Sequence, residues 1–435
     1  MTQIQDVVCT VCGCCCDDLE VEVQDDRIVK AKNACALSLS KLLSLDQERI
    51  LSPMVRQGGR LKKASLDQAV RRTASLLTRA ELPVLWGWSL TSCEAIEKGV
   101  ELAELVGGVI DNNTSVCHGP GIIGFQDVGA SSCSLGEVKN RADLVVYWAA
   151  NPVHAHPRHL ARYSAQAKGR FRKGRSDRKL VVVDIRRTDT AKLADAFIQI
   201  TPNRDYELLT ALRAAANGEE LEQDEVAGVP AGVIEDLAET MLGARFGIIF
   251  YGVGLTMSRG KSRNLDAALS LVLDLNKRTK FLIMPMRGHF NVTGANEVIA
   301  WQTGYPFGVD FSRGFPRYNP GETTFVDMLN RKECDAALVV GSDPLAHLPA
   351  QAADYLRTIP VATIDPHKTL TTEASTVVIP SALVGVETSG TVYRMDVVPL
   401  LAKKLVNPPS HILPDIEILD KIVHRVRRMQ RGKVS

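Results

Sequence analysis

The first 35 residues contain the densest group of metal-binding side chains in this sequence, a set of closely spaced cysteines. The four that follow a C-x2-C-x3-C-x18-C pattern are Cys9, Cys12, Cys16 and Cys35. Three thiolates on one tight loop and a fourth from a nearby turn can hold separate corners of a cuboidal iron–sulfur cluster. Structural zinc usually takes two short C-x2-C pairs, and these four cysteines contain only one, so the spacing favours a 4Fe-4S cluster over zinc. Two further thiols, Cys14 and Cys15, lie in the same loop, and the sequence leaves their role open.

Two more segments carry residues suited to chemistry. In residues 114–120, Cys117 stands next to His118, and the sequence alone allows a nucleophile, a metal ligand or a buried structural thiol. Residues 151–159 contain three histidines, His154, His156 and His159. Pro157 interrupts any helix that would align two imidazoles four residues apart. Binding of these loop histidines to a phosphate or a carbonyl group is therefore favoured over a zinc site.

Composition and charge restrict the class of protein. At 435 residues the chain is long enough for roughly two to four domains. Its net charge of +2 gives no reason to expect binding to nucleic acid or to a membrane. Most of the ten cysteines lie near the N-terminus, which is typical of metal or catalytic use in a reducing compartment. Since no apolar signal segment and no bilayer-spanning run occurs, the predicted location is the cytoplasm.

Short apolar runs, separated by amphipathic stretches, predict the elements that must position these residues. The runs begin at Leu82, Ala142, Lys179, Phe246, Lys280, Asp335, Ile359 and Ser375. Continuous apolar strands are typical of parallel sheets covered by helices on both faces, so the predicted fold class is α/β, doubly wound, with more than one sheet. Alternating residues around Asp25 and Asp26 predict a β-hairpin that closes the cysteine loop, and hence a small N-terminal β domain.

The predicted strands end in small or polar residues of the kind that bind phosphates. These candidate cofactor-binding residues are Gly87, Asn151, Asp184, Arg186, Gly252, Gly254, Gly341, Ser342, Asp343, Asp365 and His367. Ligands of open α/β sheets bind at the carboxyl ends of the strands, where backbone amides and helix N-termini meet them. So many such ends indicate one long ligand with several phosphates, or two ligands that each carry a nucleotide. No Walker A lysine occurs, which disfavours ATP. Residues 119–124 match GxGxxG but follow the polar segment 111–118 and not an apolar run, which disfavours NAD.

Several long motifs resemble one protein family almost from end to end. They are CTVCGCCCDDLEV, NNTSVCHGP, LGEVKNRADLVVYWAANPVHAHPRH, VVVDIRRTDTAKLAD, MRGHFNVTG, PRYNPGET and TEASTVVIP. The set resembles the catalytic B subunit of formylmethanofuran dehydrogenase, a molybdopterin oxidoreductase related to formate dehydrogenases. The resemblance implies that fold, one 4Fe-4S cluster, and a molybdenum or tungsten ion held by two molybdopterin guanine dinucleotides. It also implies reversible reduction of CO2 to formate within a complex.

The resemblance further implies partners and a rival interpretation. An amidohydrolase-type partner, the A component, would condense the formate with methanofuran, beside a C component, a β-barrel D component and ferredoxin-like electron carriers. A related bacterial branch, in formyltransferase/hydrolase complexes, has subunits of this kind without the metal chemistry. A redox-inactive scaffold is therefore the alternative, and the presence of every implied ligand favours the active enzyme.

Matching the motifs residue by residue assigns roles to single side chains. The residues that match the cluster ligands are Cys9, Cys12, Cys16 and Cys35. Cys117 matches the thiolate on the molybdenum or tungsten, and His118 and Arg287 match the pair that handles the proton and the carboxylate oxygens. His154 and Thr388 join the strand-end residues as predicted cofactor contacts.

The resemblance also predicts how the chain divides into domains. A cluster domain is expected at 1–50, followed by one pterin-binding domain built from 51–110 together with 281–405. A second pterin-binding domain is expected at 111–280, and a C-terminal helix at 406–435. No lid over the pterins is expected within this chain, so a separate partner chain is predicted to supply it.

Overall fold

The computed structural model describes residues 1–434 as a mixed α/β protein. Its strands are β1 (Thr2–Val7), β2 (Leu19–Gln24), β3 (Arg27–Lys32), β4 (Met54–Gln57), β5 (Arg60–Lys63), β6 (Pro83–Gly87), β7 (Val109–Asn112), β8 (Leu144–Trp148), β9 (Lys179–Asp184), β10 (Ala196–Gln199), β11 (Glu225–Val226), β12 (Val229–Pro230), β13 (Gly247–Tyr251), β14 (Phe281–Pro285), β15 (Val309–Asp310), β16 (Arg317–Tyr318), β17 (Ala336–Val340), β18 (Val361–Ile364), β19 (Val377–Ile379), β20 (Gly390–Tyr393) and β21 (Pro399–Ala402). Its α-helices are α1 (Ala36–Leu43), α2 (Leu66–Arg79), α3 (Cys93–Val106), α4 (Gly119–Val128), α5 (Leu135–Arg141), α6 (Pro152–Ala155), α7 (His159–Arg162), α8 (Asp205–Asn217), α9 (Ala231–Leu242), α10 (Val253–Met257), α11 (Ser262–Leu275), α12 (Val292–Thr303), α13 (Phe325–Arg331), α14 (Pro344–His347), α15 (Ala350–Leu356), α16 (Leu370–Ala374) and α17 (Asp415–Val434).

The chain forms two compact units. The first comprises Met1–Val116, His289–Arg394 and the chain from Pro399 onwards, and the second comprises Cys117–Gly288 and Met395–Val398. The predicted second pterin-binding domain, 111–280, overlaps most of the second unit. The predicted division of the rest into 1–50, 51–110 with 281–405, and 406–435 stays a prediction. Ser435, the last residue of the predicted C-terminal helix, lies outside the described residues.

The N-terminal part of the first unit is a small antiparallel sheet with the strand order β1–β2–β3. Strands β2 and β3 pair from Glu20 with Lys32 to Gln24 with Arg27, so the predicted hairpin is confirmed. Its turn residues, Asp25 and Asp26, both have positive φ, a conformation that aspartate tolerates better than most residues and that suits a two-residue hairpin turn. The cysteine loop connects β1 to β2 and is therefore anchored at both ends by this sheet.

A nine-stranded sheet forms the centre of the first unit, in the order β16–β15–β7–β6–β17–β18–β19–β4–β5. Its five middle strands are parallel, and the strands at both edges are antiparallel. Strands β6, β17, β18 and β19 are fully buried, as expected for apolar runs covered on both faces. Helix α2 begins where its capping box forms, because Ser65 and Gln68 satisfy each other's backbone amides.

The long helix α17 belongs to the core of the first unit. Ile418, Leu419, Ile422, Val423 and Val426 form an apolar stripe at helical spacing and are fully buried. This stripe packs in the cluster that includes side chains of α2 and α3. The opposite face is rich in basic residues and largely exposed, so the helix is amphipathic. Neither α17 nor any other helix within residues 1–434 is both long and apolar enough to cross a membrane.

The second unit is built on a five-stranded sheet in the order β10–β9–β8–β13–β14, and all its strands are parallel. Strands β8, β13 and β14 are buried along their whole length. Helices α8, α9 and α11 contribute apolar side chains to the same core. The α/β fold class with several parallel sheets is thus confirmed, and the carboxyl ends of β8, β13 and β14 lie side by side at one edge.

Candidate active site

Cys117 and His118 immediately precede helix α4 in the second unit. Pro120 stands near the start of this helix, where its fixed φ suits the first turn. The Thr256 hydroxyl donates a hydrogen bond to the backbone oxygen of Cys117 at 2.6 Å, which ties the cysteine to helix α10, the helix that follows β13. His118 is the N-cap residue and is buried. The local fold thus presents a thiol and an imidazole from one turn.

Arg287 follows strand β14 at the carboxyl end of the parallel sheet. The Met286 amide continues the strand ladder by donating to Tyr251 oxygen at 2.8 Å, and the Arg287 side chain is buried. His118 Nε2 lies 3.2 Å from the backbone oxygen of Met286. Because a carbonyl oxygen only accepts, this bond puts the ring proton on Nε2 and leaves Nδ1 with its lone pair. The structure therefore brings the predicted trio of Cys117, His118 and Arg287 together.

The charge of Arg287 acts on both neighbours. Burial raises the pKa of the Cys117 thiol to about 11, and the Arg287 cation opposes that rise. Burial and the same cation lower the pKa of His118 to about 3, so the imidazole is neutral at physiological pH. A thiol with so high a pKa keeps its proton near neutral pH. Binding of a metal ion would displace that proton and leave the thiolate as a ligand. Cys117 is chemically suited to a metal ion.

Tyr251 is a member of this group that sequence reasoning missed. It ends strand β13, is fully buried, and packs edge-on against His118 with ring centroids 5.6 Å apart. Both Cys117 and Arg287 influence the pKa of its hydroxyl, which burial raises well above the usual range. The one available signal was a tyrosine at the end of an otherwise apolar strand, since a buried phenol normally requires a hydrogen-bond partner.

Polar atoms of Tyr251 and of His118 lack a hydrogen-bond partner in the described part of the chain. They are the Tyr251 hydroxyl and His118 Nδ1, and both are buried. Buried polar atoms are nearly always paired, so unpaired ones beside a thiol and a guanidinium fit a polar occupant. A metal ion that carries oxygen ligands or a carboxylate meets this description.

The four predicted cluster ligands lie in the first unit. The Cys9 amide donates to Cys16 oxygen at 2.9 Å, which closes the loop that also holds Cys12. Cys35 is the N-cap residue of α1, and Ser38 of that helix is hydrogen-bonded to the Cys9 thiol at 3.3 Å. The structure thus brings Cys9, Cys12 and Cys16 onto one loop and packs the Cys35 helix against it.

Cys14 and Cys15, whose role the sequence left open, are both buried in this loop. The Cys15 thiol donates to Phe290 oxygen at 3.1 Å and packs with Val8 and Phe290 in a small apolar cluster. Burial is also the main reason why the pKa of each of these two thiols is raised. Their environment is that of structural thiols.

A buried lysine stands beside the cysteine loop. Lys41 of α1 donates from Nζ to Thr10 oxygen at 2.5 Å. Burial lowers the pKa of Lys41 to about 8, while the nearby Cys9 and Cys15 thiols act in the opposite direction. An ammonium group this close to several thiolates would offset part of the negative charge that a bound iron–sulfur cluster carries, so the donor set fits such a cluster.

A cavity of about 350 Å³ in the first unit is lined by three of the predicted cofactor-binding residues, Gly341, Asp365 and His367. Lys41 and Asp415 line it as well. Burial raises the pKa of Asp365 to about 7, although the His367 amide donates to its carboxylate at 2.9 Å. A buried carboxyl and an amine that line one cavity suit a ligand with both donors and acceptors, as a guanine or pterin has.

A second cavity, of about 480 Å³, lies in the second unit and is lined by the predicted residues Asn151, His154 and Arg186. Arg187 and Lys192 add two more basic side chains. His154 is exposed and is hydrogen-bonded to Asp189, with Nε2 and Oδ2 2.5 Å apart. Several cations around an open cavity suit phosphate groups.

The structure explains other predicted cofactor-binding residues by contacts within the protein. A Cβ atom on Gly87, where φ is +115°, would stand 2.1 Å from Val340 oxygen of the neighbouring strand. A Cβ atom on Gly252 would stand equally close to Ala149 oxygen. These glycines are required for close backbone approach, and their contact with a cofactor stays a prediction.

The remaining predicted residues are placed as follows. Gly254 lies in α10 and Asp184 ends β9, where its carboxylate accepts from the Arg186 amide at 3.3 Å. Ser342 Oγ accepts from Asn113 at 3.3 Å, and the Asp343 carboxylate accepts from both the amide and the hydroxyl of Thr371. Thr388 lies in a tight turn in which its amide donates to Leu383 oxygen. Their roles toward a cofactor also stay predictions.

Comparison with known proteins gives consistent matches. Residues 49–425 match the molybdopterin oxidoreductase family. The B subunit of tungsten-containing formylmethanofuran dehydrogenase 2 from Methanocaldococcus jannaschii is 52% identical over 98% of this chain and 99% of its own length. Acetylene hydratase from Pelobacter acetylenicus has the same fold, with a TM-score of 0.75 at 15% identity over 98% of this chain and 70% of its own. A chain of the formyltransferase/hydrolase complex FhcABCD from Methylorubrum extorquens, crystallised with methylofuran, also shares the fold, with a TM-score of 0.71, 24% identity, and coverage of 88% and 100%.

Proposed function

Because the chain belongs to the molybdopterin oxidoreductase family, as a B subunit of formylmethanofuran dehydrogenase, we propose that this oxidoreductase interconverts CO2 and formate. The observation that carries the proposal is the buried group of Cys117, His118, Tyr251 and Arg287 in the second unit. It combines a buried thiol, a neutral imidazole, a guanidinium and a phenol whose hydroxyl has no hydrogen-bond partner among residues 1–434. These groups suit the interconversion of linear CO2 and bent formate.

The cofactors are proposed from the residues that suit them. A molybdenum or tungsten ion on two molybdopterin guanine dinucleotides would supply two-electron chemistry, and a 4Fe-4S cluster would supply one-electron transfer. Cys117 would hold the ion. The cavities lined by Asp365 and by Arg186 would each hold part of a dinucleotide. The residues that would hold the cluster are Cys9, Cys12, Cys16 and Cys35.

The cluster is preferred to zinc on the arrangement of the donors. A zinc ion needs three or four donors on a single ion, at about 2.3 Å for sulfur. Among residues 1–434, no three His, Cys, Asp or Glu side chains are arranged to hold one ion. A cubane carries its four thiolates on four different irons, so it does not require the sulfurs to converge on one point. Buried Lys41 further supports an anionic cluster.

Arg287 is proposed to bind the substrate. A planar guanidinium donates two parallel hydrogen bonds to a carboxylate, and it attracts the oxygens of CO2 more strongly as they gain charge. Burial raises this effect, because water does not compete inside the site. The fork geometry therefore favours the bent, charged species over linear CO2.

His118 is proposed to accept the proton, and Tyr251 is proposed to donate a hydrogen bond to the substrate or to a metal ligand. With Nε2–H held by Met286 oxygen, His118 can accept a hydrogen bond or a proton only at Nδ1, which has no partner among the described residues. The Tyr251 hydroxyl remains protonated, because burial raises its pKa, and can donate to an oxygen of the substrate or of a metal ligand. Each residue thus has one assigned atom in the reaction.

Partners and location follow as part of the proposal. Formate would pass to the amidohydrolase-type A component, which condenses it with methanofuran, while the C and D components and ferredoxin-like carriers complete the complex. The name of the Methanocaldococcus jannaschii relative, which designates one subunit of a larger enzyme, supports such an assembly. None of the ten cysteines, all of which lie within residues 1–434, forms a disulfide, which supports a reducing compartment and hence the cytoplasm.

The decisive experiment uses the anaerobically purified complex. Molybdenum, tungsten and iron are quantified, and formate oxidation is measured with an artificial electron acceptor. Cys117→Ala is expected to abolish oxidation while four irons per chain remain. Cys133→Ala is the matched control, since Cys133 is another partly buried cysteine of the second unit and should leave the rate unchanged. A wild-type complex without metal and without activity would instead indicate the redox-inactive scaffold.

A further inference from the structure

His156 is a buried residue of the second unit to which the reaction assigns no role so far. It follows helix α6, and its own amide donates to Pro152 oxygen at 2.8 Å, so its backbone is fixed. Its Nε2 atom lies 2.8 Å from the backbone oxygen of Arg287. The sequence separation is 131 residues, so this contact exists only in the folded chain.

The hydrogen-bond chemistry defines the state of the ring. The carbonyl of Arg287 can only accept, so His156 must carry its proton on Nε2. Nδ1 is buried and has no partner in the described part of the chain. A protonated Nδ1 would leave a buried donor unsatisfied, and burial accordingly lowers the pKa of His156. The His156 ring is therefore neutral, and its one N–H group donates to the Arg287 carbonyl oxygen.

Two histidines together hold both peptide groups that flank the Arg287 Cα atom. His118 binds the carbonyl of Met286, which precedes Arg287, and His156 binds the carbonyl of Arg287 itself. The preceding peptide group, between Pro285 and Met286, is held by the strand ladder through the Met286 amide. The second peptide group leads into Gly288, where an added Cβ atom would meet nothing within 4 Å.

That glycine makes the His156 contact important. A peptide group next to glycine can rotate more freely than others, because glycine has no Cβ atom to restrict φ. Rotation of the Arg287–Gly288 peptide would change ψ of Arg287 and swing its side chain. A misplacement of about 1 Å of a binding group can reduce catalysis by about a hundredfold.

We propose that His156 is a positioning residue of this enzyme, which holds the Arg287–Gly288 peptide so that the Arg287 guanidinium faces the carboxylate. This role rests on the proposed function, because it assumes that Arg287 binds formate. It adds a residue that acts through the backbone of another.

The test compares two amides at position 156 in the purified complex. His156→Gln places an amide nitrogen near the position of Nε2, whereas His156→Asn is too short to reach it. We expect His156→Asn to lower kcat/KM for formate by about 10- to 100-fold, mainly through KM, and His156→Gln to restore it to within about threefold. Adding Gly288→Ala to His156→Asn should recover part of the loss, because alanine restricts the freed peptide.

The matched control is His159→Asn. His159 is equally buried in the same segment, but its Nδ1 atom bonds the Tyr147 hydroxyl at 2.8 Å, and its ring forms no hydrogen bond with Arg287 in the described structure. This variant should show a lower melting temperature and an unchanged KM for formate. An equal rise in KM for both asparagine variants would mean that general loosening of the core, and not positioning, is responsible.

A second measurement is independent of turnover. Phenylglyoxal modification of Arg287 is followed by peptide mass spectrometry, with formate as the protecting ligand. In His156→Asn the modification should be faster and the protecting concentration of formate at least about tenfold higher than in wild type and in His156→Gln. Should His156→Asn fail to assemble, a His156→Gln complex that lacks wild-type KM and protection would overturn the proposal.

Failure of the proposed function and failure of the positioning role give different results. If the wild-type complex neither oxidises formate nor is protected by it, the proposed function is wrong. If wild type does both, and His156→Asn behaves as wild type or His156→Gln is no better than His156→Asn, the positioning role is wrong.

Discussion

Replacing Arg287 by lysine tests the binding of the carboxylate most directly, because it keeps the charge and removes the planar fork. The Arg287 cation influences the pKa of Cys117 and of His118, and a lysine ammonium retains that influence. Lysine presents its positive charge on a single ammonium group and lacks the planar fork of five N–H donors. The substitution therefore changes the geometry of binding and little else.

The magnitude follows from the loss of one of two parallel hydrogen bonds. A hydrogen bond that involves a charged group contributes about 1.5–3 kcal/mol. Since each 1.4 kcal/mol or so corresponds to a tenfold change in rate, kcat/KM should fall by about 10- to 150-fold. The molybdenum or tungsten and iron contents should stay at wild-type values, because the proposed ligands of these groups are untouched.

The assay is formate oxidation at pH 7 with an artificial acceptor, together with metal analysis of the same sample. Arg178→Lys is the control, since Arg178 is also buried in the second unit, but its guanidinium donates to backbone oxygens, including those of Val138 and Ala142. This control should be less stable and equally active per assembled complex. Wild-type rates in Arg287→Lys, or a parallel loss of metal and activity, would refute the assignment of Arg287 to the substrate.

Three further predictions address other parts of the molecule. Tyr251→Phe should reduce kcat/KM for formate by about 3- to 30-fold without lowering the melting temperature, because the hydroxyl has no partner to lose within the described chain; a destabilised but fully active variant would contradict this. Cys12→Ser should reduce iron below four atoms per chain and weaken the visible absorption, whereas the control Cys15→Ser should keep the iron. Full iron retention in Cys12→Ser would exclude Cys12 as a ligand. Asp365→Asn should stabilise the cofactor-free chain at pH 8 and have little effect near pH 4. The wild-type carboxyl, whose folded pKa is raised to about 7, contributes stability below its unfolded pKa of about 4 that is lost as the pH rises toward 7; equal unfolding free energies of both proteins at pH 8 would contradict the prediction.

Much of the fold could be predicted because local patterns carry it. The apolar runs starting at Ala142, Phe246 and Lys280 form buried strands of one parallel sheet, since a strand covered on both faces has to be apolar throughout. The hairpin at Asp25 and Asp26 was equally predictable, because its turn chemistry and its alternating flanks lie within a few residues of each other. The nine-stranded order of the other sheet was not, because pairing between distant strands leaves no mark in any local window.

The sequence by itself determined which residue types are available for chemistry: the cysteine spacing from Cys9 to Cys35, the Cys117–His118 pair, and an arginine after an apolar strand at Arg287. Only the tertiary structure decided that His118 and His156 hold the two carbonyls flanking Arg287, and that Tyr251 belongs to the same site with a hydroxyl that has no partner in the described chain. The physical reason is that parallel strands bring their carboxyl ends to one edge from points more than a hundred residues apart. A side chain's partner there depends on strand order and register, which no single segment contains.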